Sequence, residues 1–265
     1  KLPGIAGIEN FKGHMFHTSR WDYEYTGGSN VEALAGLKDK RVAIIGSGAT
    51  AVQAVPNLAK SSKHLYVCQR TPSTIDFRGN GPTDEAWFST LEQGWQKKRI
   101  ENLTNILNGM PQAKDLVADG WTDLMQKMIE ASRERKKGLD LGVDPIRLAQ
   151  YRKMEEIRGR VDEYVEDPET AEALKPYYDM FCKRPCFHDE YLPSFNRDNV
   201  TLLDTDGGGV DAITASGIVV KGEEYTVDCI IFSTGFETNV SMQRRAGIDL
   251  QGRNGQKLSD KWAGD

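Results

Sequence analysis

Arg41 to Ala54 reads RVAIIGSGATAVQA, and the fold is decided here. Val42, Ala43, Ile44 and Ile45 are four apolar residues in succession. A strand buried on both faces, as in a parallel sheet covered on each side, gives that pattern. Gly46, Ser47 and Gly48 then form a tight turn, and Ala49, Thr50 and Ala51 open a helix that carries Gln53 and runs to Leu58. The spacing is G-x-G-x-x-A. Gly46 permits the turn, Gly48 lets a pyrophosphate approach the backbone, and Ala51 lets the helix lie close to the strand. The start of the helix offers unpaired N–H groups and a positive dipole end to the anion. The stretch from Gly46 to Gln53 is therefore read as a dinucleotide site, against the plainer reading of a glycine turn joining a strand to a helix.

Working outward, residues 63–68 (KHLYVC) read as the second strand, followed at once by Gln69, Arg70, Thr71 and Pro72. In a dinucleotide fold the end of this strand faces the adenosine ribose, where an acidic residue suits a free 2′-hydroxyl and an arginine suits a 2′-phosphate. No Asp or Glu intervenes between the end of this strand and Asp76. Arg70 and Thr71 therefore favour NADP(H) over NAD, because a guanidinium can hold a phosphate through two charge-assisted bonds. The alternative is an arginine that merely ends a strand.

The FRGNG run at residues 77–81, followed by Pro82, breaks the pattern. From there the sequence divides as follows. Residues 1–35 are a linker, 36–82 the first part of the dinucleotide domain, 83–178 a helical insertion, 179–236 the second part, and 237–265 the start of a further segment. The insertion is rich in Glu, Lys, Arg, Gln and Leu, and Asp144-Pro145 reads as an N-cap with proline in the first turn. Trp87, Trp95 and Trp121 are expected to anchor its core. In the second part, residues 199–204, 213–220 and 224–232 read as strands, the last running into Ser233-Thr234-Gly235-Phe236. Lys183 and Arg184, bordered by aromatics and cysteines, do not resemble a solvated charged face. They are expected to be enclosed and to meet an anion or electron-rich ligand.

With 38% hydrophobic and 28% charged residues, the 265-residue chain has the composition of a globular protein with a sizeable core. A net charge of −5 excludes a polybasic nucleic-acid or membrane surface. No apolar run approaches the roughly 20 residues needed to span a bilayer. No signal peptide is visible, and the reading places the protein in the cytoplasm. Cys68, Cys182, Cys186 and Cys229 are irregularly spaced and are expected as reduced thiols. Cys182, Cys186 and His188 lack a second pair at zinc-site spacing, so no metal is expected.

Residues 11–22 run FKGHMFHTSRWD. By composition alone they are a surface loop anchored by Phe11 and Trp21. Their pattern, Phe11-x-Gly13-x-x-x-His17-x-x-x-Trp21-Asp22, nevertheless resembles the fingerprint of type I Baeyer–Villiger monooxygenases. The second glycine motif, Gln69-Arg70-Thr71, Lys183-Arg184-Pro185 and Ser233-Thr234-Gly235-Phe236 follow in that family's order, and the likeness covers essentially the whole chain. It implies an α/β fold: a Rossmann-like dinucleotide-binding domain with an inserted helical subdomain, part of a flavoprotein with two dinucleotide domains. It also implies that Arg70, Thr71 and Lys183 hold the 2′-phosphate, that Arg184 is the catalytic arginine beside the flavin, and that His17 couples domain movement to cofactor binding. Thr234 and Gly235 resemble the linker that contributes to cofactor binding. The activity implied is oxidation of a ketone by O₂ to an ester or lactone, with NADP(H) and FAD as cofactors. The family's first G-x-G-x-x-G, which binds FAD, is not in this sequence. The chain is thus expected to be the NADP domain with a stub of the flavin domain, and to need the missing FAD-domain segments as partner. Two alternatives stand beside this: a flavin monooxygenase acting on nitrogen or sulfur, against which Trp21-Asp22 counts, and a stand-alone NADP-binding module without catalysis.

Overall fold

The structure, a computed structural model, describes residues 2–136, 144–236 and 240–262. Residues 237–239 and 263–265 of the expected further segment lie outside the described residues. The chain forms two compact units, Gly4–Ser233 and a smaller one of Lys1–Pro3 with Thr234–Asp265.

In the larger unit the strands are β1 (His14–His17), β2 (Arg41–Ile45), β3 (His64–Gln69), β4 (Ile75–Asp76), β5 (Cys186–Phe187), β6 (Val200–Asp204), β7 (Ala212–Ile213), β8 (Gly217–Val220), β9 (Glu223–Thr226) and β10 (Cys229–Phe232). The main sheet has the order β1-β10-β2-β3-β6, and every neighbouring pair is parallel. Helix α1 (Tyr23–Thr26) follows β1, and α2 (Ala49–Ser61) connects β2 to β3. The chain goes to β3 on one side of β2 and returns as β10 on the other, so the strand order reverses at β2. Open α/β sheets bind ligands in the crevice outside such a reversal, at the carboxyl ends of the strands.

Both faces of the sheet are covered, which is why β2 is apolar throughout. On one face Val42, Ile44, Leu65 and Val67 pack with Val52, Val55, Leu58 and Ala59 of α2. On the other, Ala43, Ile45, Ile230 and Phe232 meet Ile213, Ile218 and Val220 of the antiparallel meander β7-β8-β9.

Between β4 and β5 lie α3 (Glu85–Ser89), α4 (Trp95–Leu107), α5 (Gly120–Lys136), α6 (Pro145–Tyr164) and α7 (Pro168–Leu174). Asp144 caps α6 as the sequence suggests, its carboxylate accepting the Ile146 N–H at 2.9 Å with Pro145 in the first turn. The insertion is tied down by Lys153. This buried lysine lies 2.7 Å from Asp76 on β4 and 3.4 Å from Asp123 on α5.

Three expectations are corrected. The fingerprint is not a loop: His14–His17 forms the edge strand β1, paired with β10. Residues 224–232 are not one strand, because the chain leaves the meander at Thr226 and enters the main sheet at Cys229. Trp87 is 43% exposed, so it does not anchor the core of the insertion.

The smaller unit contains the helices α8 (Met242–Ala246) and α9 (Leu258–Trp262).

Candidate dinucleotide and catalytic site

Register brings the motifs to one edge of the sheet. His17, Phe232, Ile45 and Cys68 are partners along a single row across β1, β10, β2 and β3. The next residues at this carboxyl edge are Thr18, Ser233, Gly46 and Gln69, so the fingerprint histidine stands two strands from the glycine turn.

The fingerprint is held by packing. A side chain at Gly13 would come within 2.5 Å of the Phe11 ring and 2.6 Å of the Asp228 carbonyl, so only glycine fits under the buried Phe11. Trp21 packs edge-on against Phe16 with centroids 5.3 Å apart, and its indole N–H donates to Thr26 Oγ1 at 3.0 Å. Asp22 caps α1 by accepting the Tyr25 N–H at 3.1 Å and meets His14 Nε2 at 2.9 Å. That backbone bond, together with His14, holds its carboxyl below the usual range. His17 Nδ1 accepts the Ser19 N–H at 3.1 Å. These contacts hold the strand that carries His17 and the turn that follows it.

At the glycine turn, Gly46 has φ 114°, a conformation that L side chains rarely adopt. Its N–H donates to the Cys68 carbonyl at 2.9 Å. Gly48 has open space where a side chain would stand, and no side chain caps the first turn of α2. The N–H groups of Ala49, Thr50 and Ala51 therefore face a gap suited to an anion. Ala51 is fully buried, as close packing of helix on sheet requires. Gln53 is exposed and donates to the Ala49 carbonyl at 3.0 Å. Ser47 is buried. Its hydroxyl donates to the Thr71 carbonyl at 2.9 Å, and its own carbonyl accepts from Ser73 Oγ at 2.7 Å. The turn is thereby pinned beside Arg70 and Thr71.

Lys183 reaches the same place from the far side of the insertion. Its ammonium donates to Thr71 Oγ1, to the Thr71 carbonyl at 3.0 Å and to the Pro72 carbonyl at 3.2 Å. Burial, and then the positive charge of Arg70, hold its pKa below that of an ordinary lysine. Among the described residues no carboxylate pairs with Arg70, Lys183 or Arg184. Two cations that repel one another with no carboxylate paired to either are an arrangement that would suit an anion.

Arg184 corrects an expectation. It is exposed, as are Phe181 and Cys182 before it, so the Lys183-Arg184 pair is not enclosed. Arg184 instead lines a cleft of about 530 Å³ that opens beside the first turn of α2, with Ala49, Gln53, Asn57, Trp121 and Asp189 among its walls. The adjacent cations thus part: Lys183 turns to the end of β3 and Arg184 to the cleft. Thr234 and Gly235 are exposed and belong to the smaller unit. All four cysteines are free thiols, Cys182 the exposed one.

No protein-family model matches the chain. It is 51% identical over 266 residues to Baeyer–Villiger monooxygenase ATR8 of Stachybotrys chlorohalonatus, a match spanning 99% of this chain and 43% of that protein. With pentalenolactone D synthase of Streptomyces arenae the identity is 52% over 271 residues, 99% of this chain and 46% of the relative. The solved polycyclic ketone monooxygenase of Thermothelomyces thermophila superposes with a TM-score of 0.82 at 41% identity, covering 99% of this chain and 44% of that one. Over nearly its whole length the chain is thus similar to part of proteins named Baeyer–Villiger monooxygenases. It spans slightly under half the length of the curated relatives it matches. A structure of OTEMO in complex with FAD and NADP superposes with a TM-score of 0.72 at 27% identity, over 100% of this chain and 50% of that chain.

The sequence reading missed Asn57, Arg78, Trp121 and Asp189 as cleft walls. Only the FRGNG break hinted at Arg78. The others sit in ordinary helical or polar surroundings and come together through the fold alone. Among the described residues no helix is long and apolar enough to cross a membrane.

Proposed function

We propose that this chain is the NADP-binding half of an NADPH- and FAD-dependent monooxygenase that inserts one atom of O₂ beside a ketone carbonyl, giving an ester or lactone. The observation that carries the reading is the Arg70–Lys183 cation pair, set beside an open glycine turn and lacking a carboxylate. The residues present fit NADP(H). Arg70, Thr71 and Lys183 would take the 2′-phosphate, and the backbone from Gly46 to Ala51 would take the pyrophosphate. Gln53 and the cleft would receive the nicotinamide half. When bound, NADPH supplies a hydride and FAD carries the reduction of O₂. Arg184 would place a fixed positive charge where negative charge develops on the reacting oxygens, an arrangement worth about 3 kcal/mol per donor in a dry site. His17, at the same sheet edge, would sense occupancy of the nucleotide. Thr234 and Gly235 would lead toward the FAD-binding part, which the relatives' extra length supplies. The reaction takes place in the aqueous cytoplasm on a small ketone, with neither nucleic acid nor membrane as partner.

The test joins this chain to the flavin-domain segments of the polycyclic ketone monooxygenase. Flavin absorbance reports assembly. Given NADPH, a cyclic ketone and ¹⁸O₂, the chimera should place one labelled oxygen in the product, and Arg184→Ala should abolish it. An assembled, FAD-loaded chimera that consumes NADPH without labelling an ester contradicts the proposal.

A further inference from the structure

The cleft has a lip with a fastening of its own. Residues 77–81 leave β4 as irregular backbone, and two of their N–H groups end on one carboxylate: Asp189 accepts from Arg78 at 2.9 Å and from Asn80 at 3.2 Å. Asp189 is also paired at 3.5 Å with Arg160 of α6, whose side chain is 12% exposed. The Arg160 guanidinium is gripped by two rings, 4.4 Å from the centroid of Tyr164 and 5.5 Å from that of Phe77. Its Nε is buried without a hydrogen-bond partner, so the rings and Asp189 are what hold it. Lys153 already joins the insertion to the sheet through Asp76. The Arg160–Asp189 pair acts elsewhere. Arg78, Asn80, Asp189 and Arg184 all line the cleft.

We propose that Asp189, held by Arg160, is a positioning residue that fixes the cleft lip, and with it Arg184 and the nicotinamide half of the dinucleotide. The inference rests on the NADP-binding reading above. The 2′-phosphate end is assigned to Arg70 and Lys183, neither of which lines the cleft. That separation supplies the test.

The chain is titrated by calorimetry with NADP and with 2′,5′-ADP, which carries the 2′-phosphate but no nicotinamide. In Asp189→Asn the affinity for NADP should fall about tenfold while that for 2′,5′-ADP stays as in wild type. Arg160→Gln leaves the Asp189 backbone bonds in place and should give the same split, so it serves if Asp189→Asn does not fold. Equal weakening of both ligands, or no change in either, overturns the proposal. A wild-type chain that binds neither ligand removes the NADP reading and this inference together. A wild-type chain that binds both, with the variants unchanged, removes the inference alone.

Discussion

Gly13 shows what a single position in a motif is for. Phe11 and the Asp228 carbonyl occupy the space a methyl group would take, so Gly13→Ala forces the chain off the start of β1. Overpacking of this kind costs about 1–3 kcal/mol, and urea denaturation should show it as a lower midpoint with an unchanged slope. Lys183 carries a different kind of prediction. Burial and Arg70 depress its pKa in the free chain. A bound phosphate favours the charged ammonium, so its pKa rises on binding and a proton is taken up. NADP affinity should therefore fall as pH rises through the depressed Lys183 pKa. Calorimetry across pH measures this, and Lys183→Met should flatten the slope. If the wild-type slope persists in the variant, Lys183 is not the phosphate ligand.

Among the elements, β2 and β3 were legible because strands buried on both faces leave unbroken apolar runs. β1 was not. Only Phe16 of its four residues is buried, and an edge strand covered on one side by histidine and methionine leaves no such run. The split between β9 and β10 was hidden for another reason. No glycine or proline marks Val227-Asp228, where the chain changes sheets. The junction is made instead by Asp228, which accepts from the Arg41 N–H at 2.7 Å and pairs with the guanidinium at 3.1 Å. Arg41 holds the Asp228 carboxyl below the usual range. The contribution of this pair to stability is present above the ordinary aspartate pKa and lost as pH falls through the depressed value. Asp228→Asn should remove that part of the acid dependence, as thermal melts at several pH values would show.

The helical insertion was legible as helices, while its attachment was not, because Lys153 looks like any other charge on an amphipathic face. Burial opposes its charge, yet the hydrogen bond with Asp76 and the nearby carboxylates raise its pKa. Its contribution is full below the ordinary lysine pKa and lost as pH climbs through the raised one. Lys153→Ala leaves Asp76, only 14% exposed, without its cation and should cost about 3 kcal/mol by urea denaturation. A loss below about 1 kcal/mol would mean that the insertion is held by its apolar contacts alone.

At the scale of the whole molecule, a reversal of strand order at β2 gathers the glycine turn, the end of β3 and the fingerprint at one edge of the sheet. The five motifs are spread over more than 200 residues, and their order in the sequence was enough to give the resemblance that the relatives bear out. The parting of Lys183 and Arg184, and the lip built on Asp189, depend on how the insertion folds back, which no local pattern encodes. The central claim is that this edge is built for a nucleotide with a 2′-phosphate. Calorimetric titration of the chain with NADP and with NAD, in wild type and in Arg70→Ala, tests it directly. Tight binding of NADP, much weaker binding of NAD, and a loss of about 2 kcal/mol, roughly 30-fold, confined to NADP in the variant are expected. Equal affinity for the two nucleotides, or an Arg70→Ala variant that binds NADP as wild type does, contradicts it.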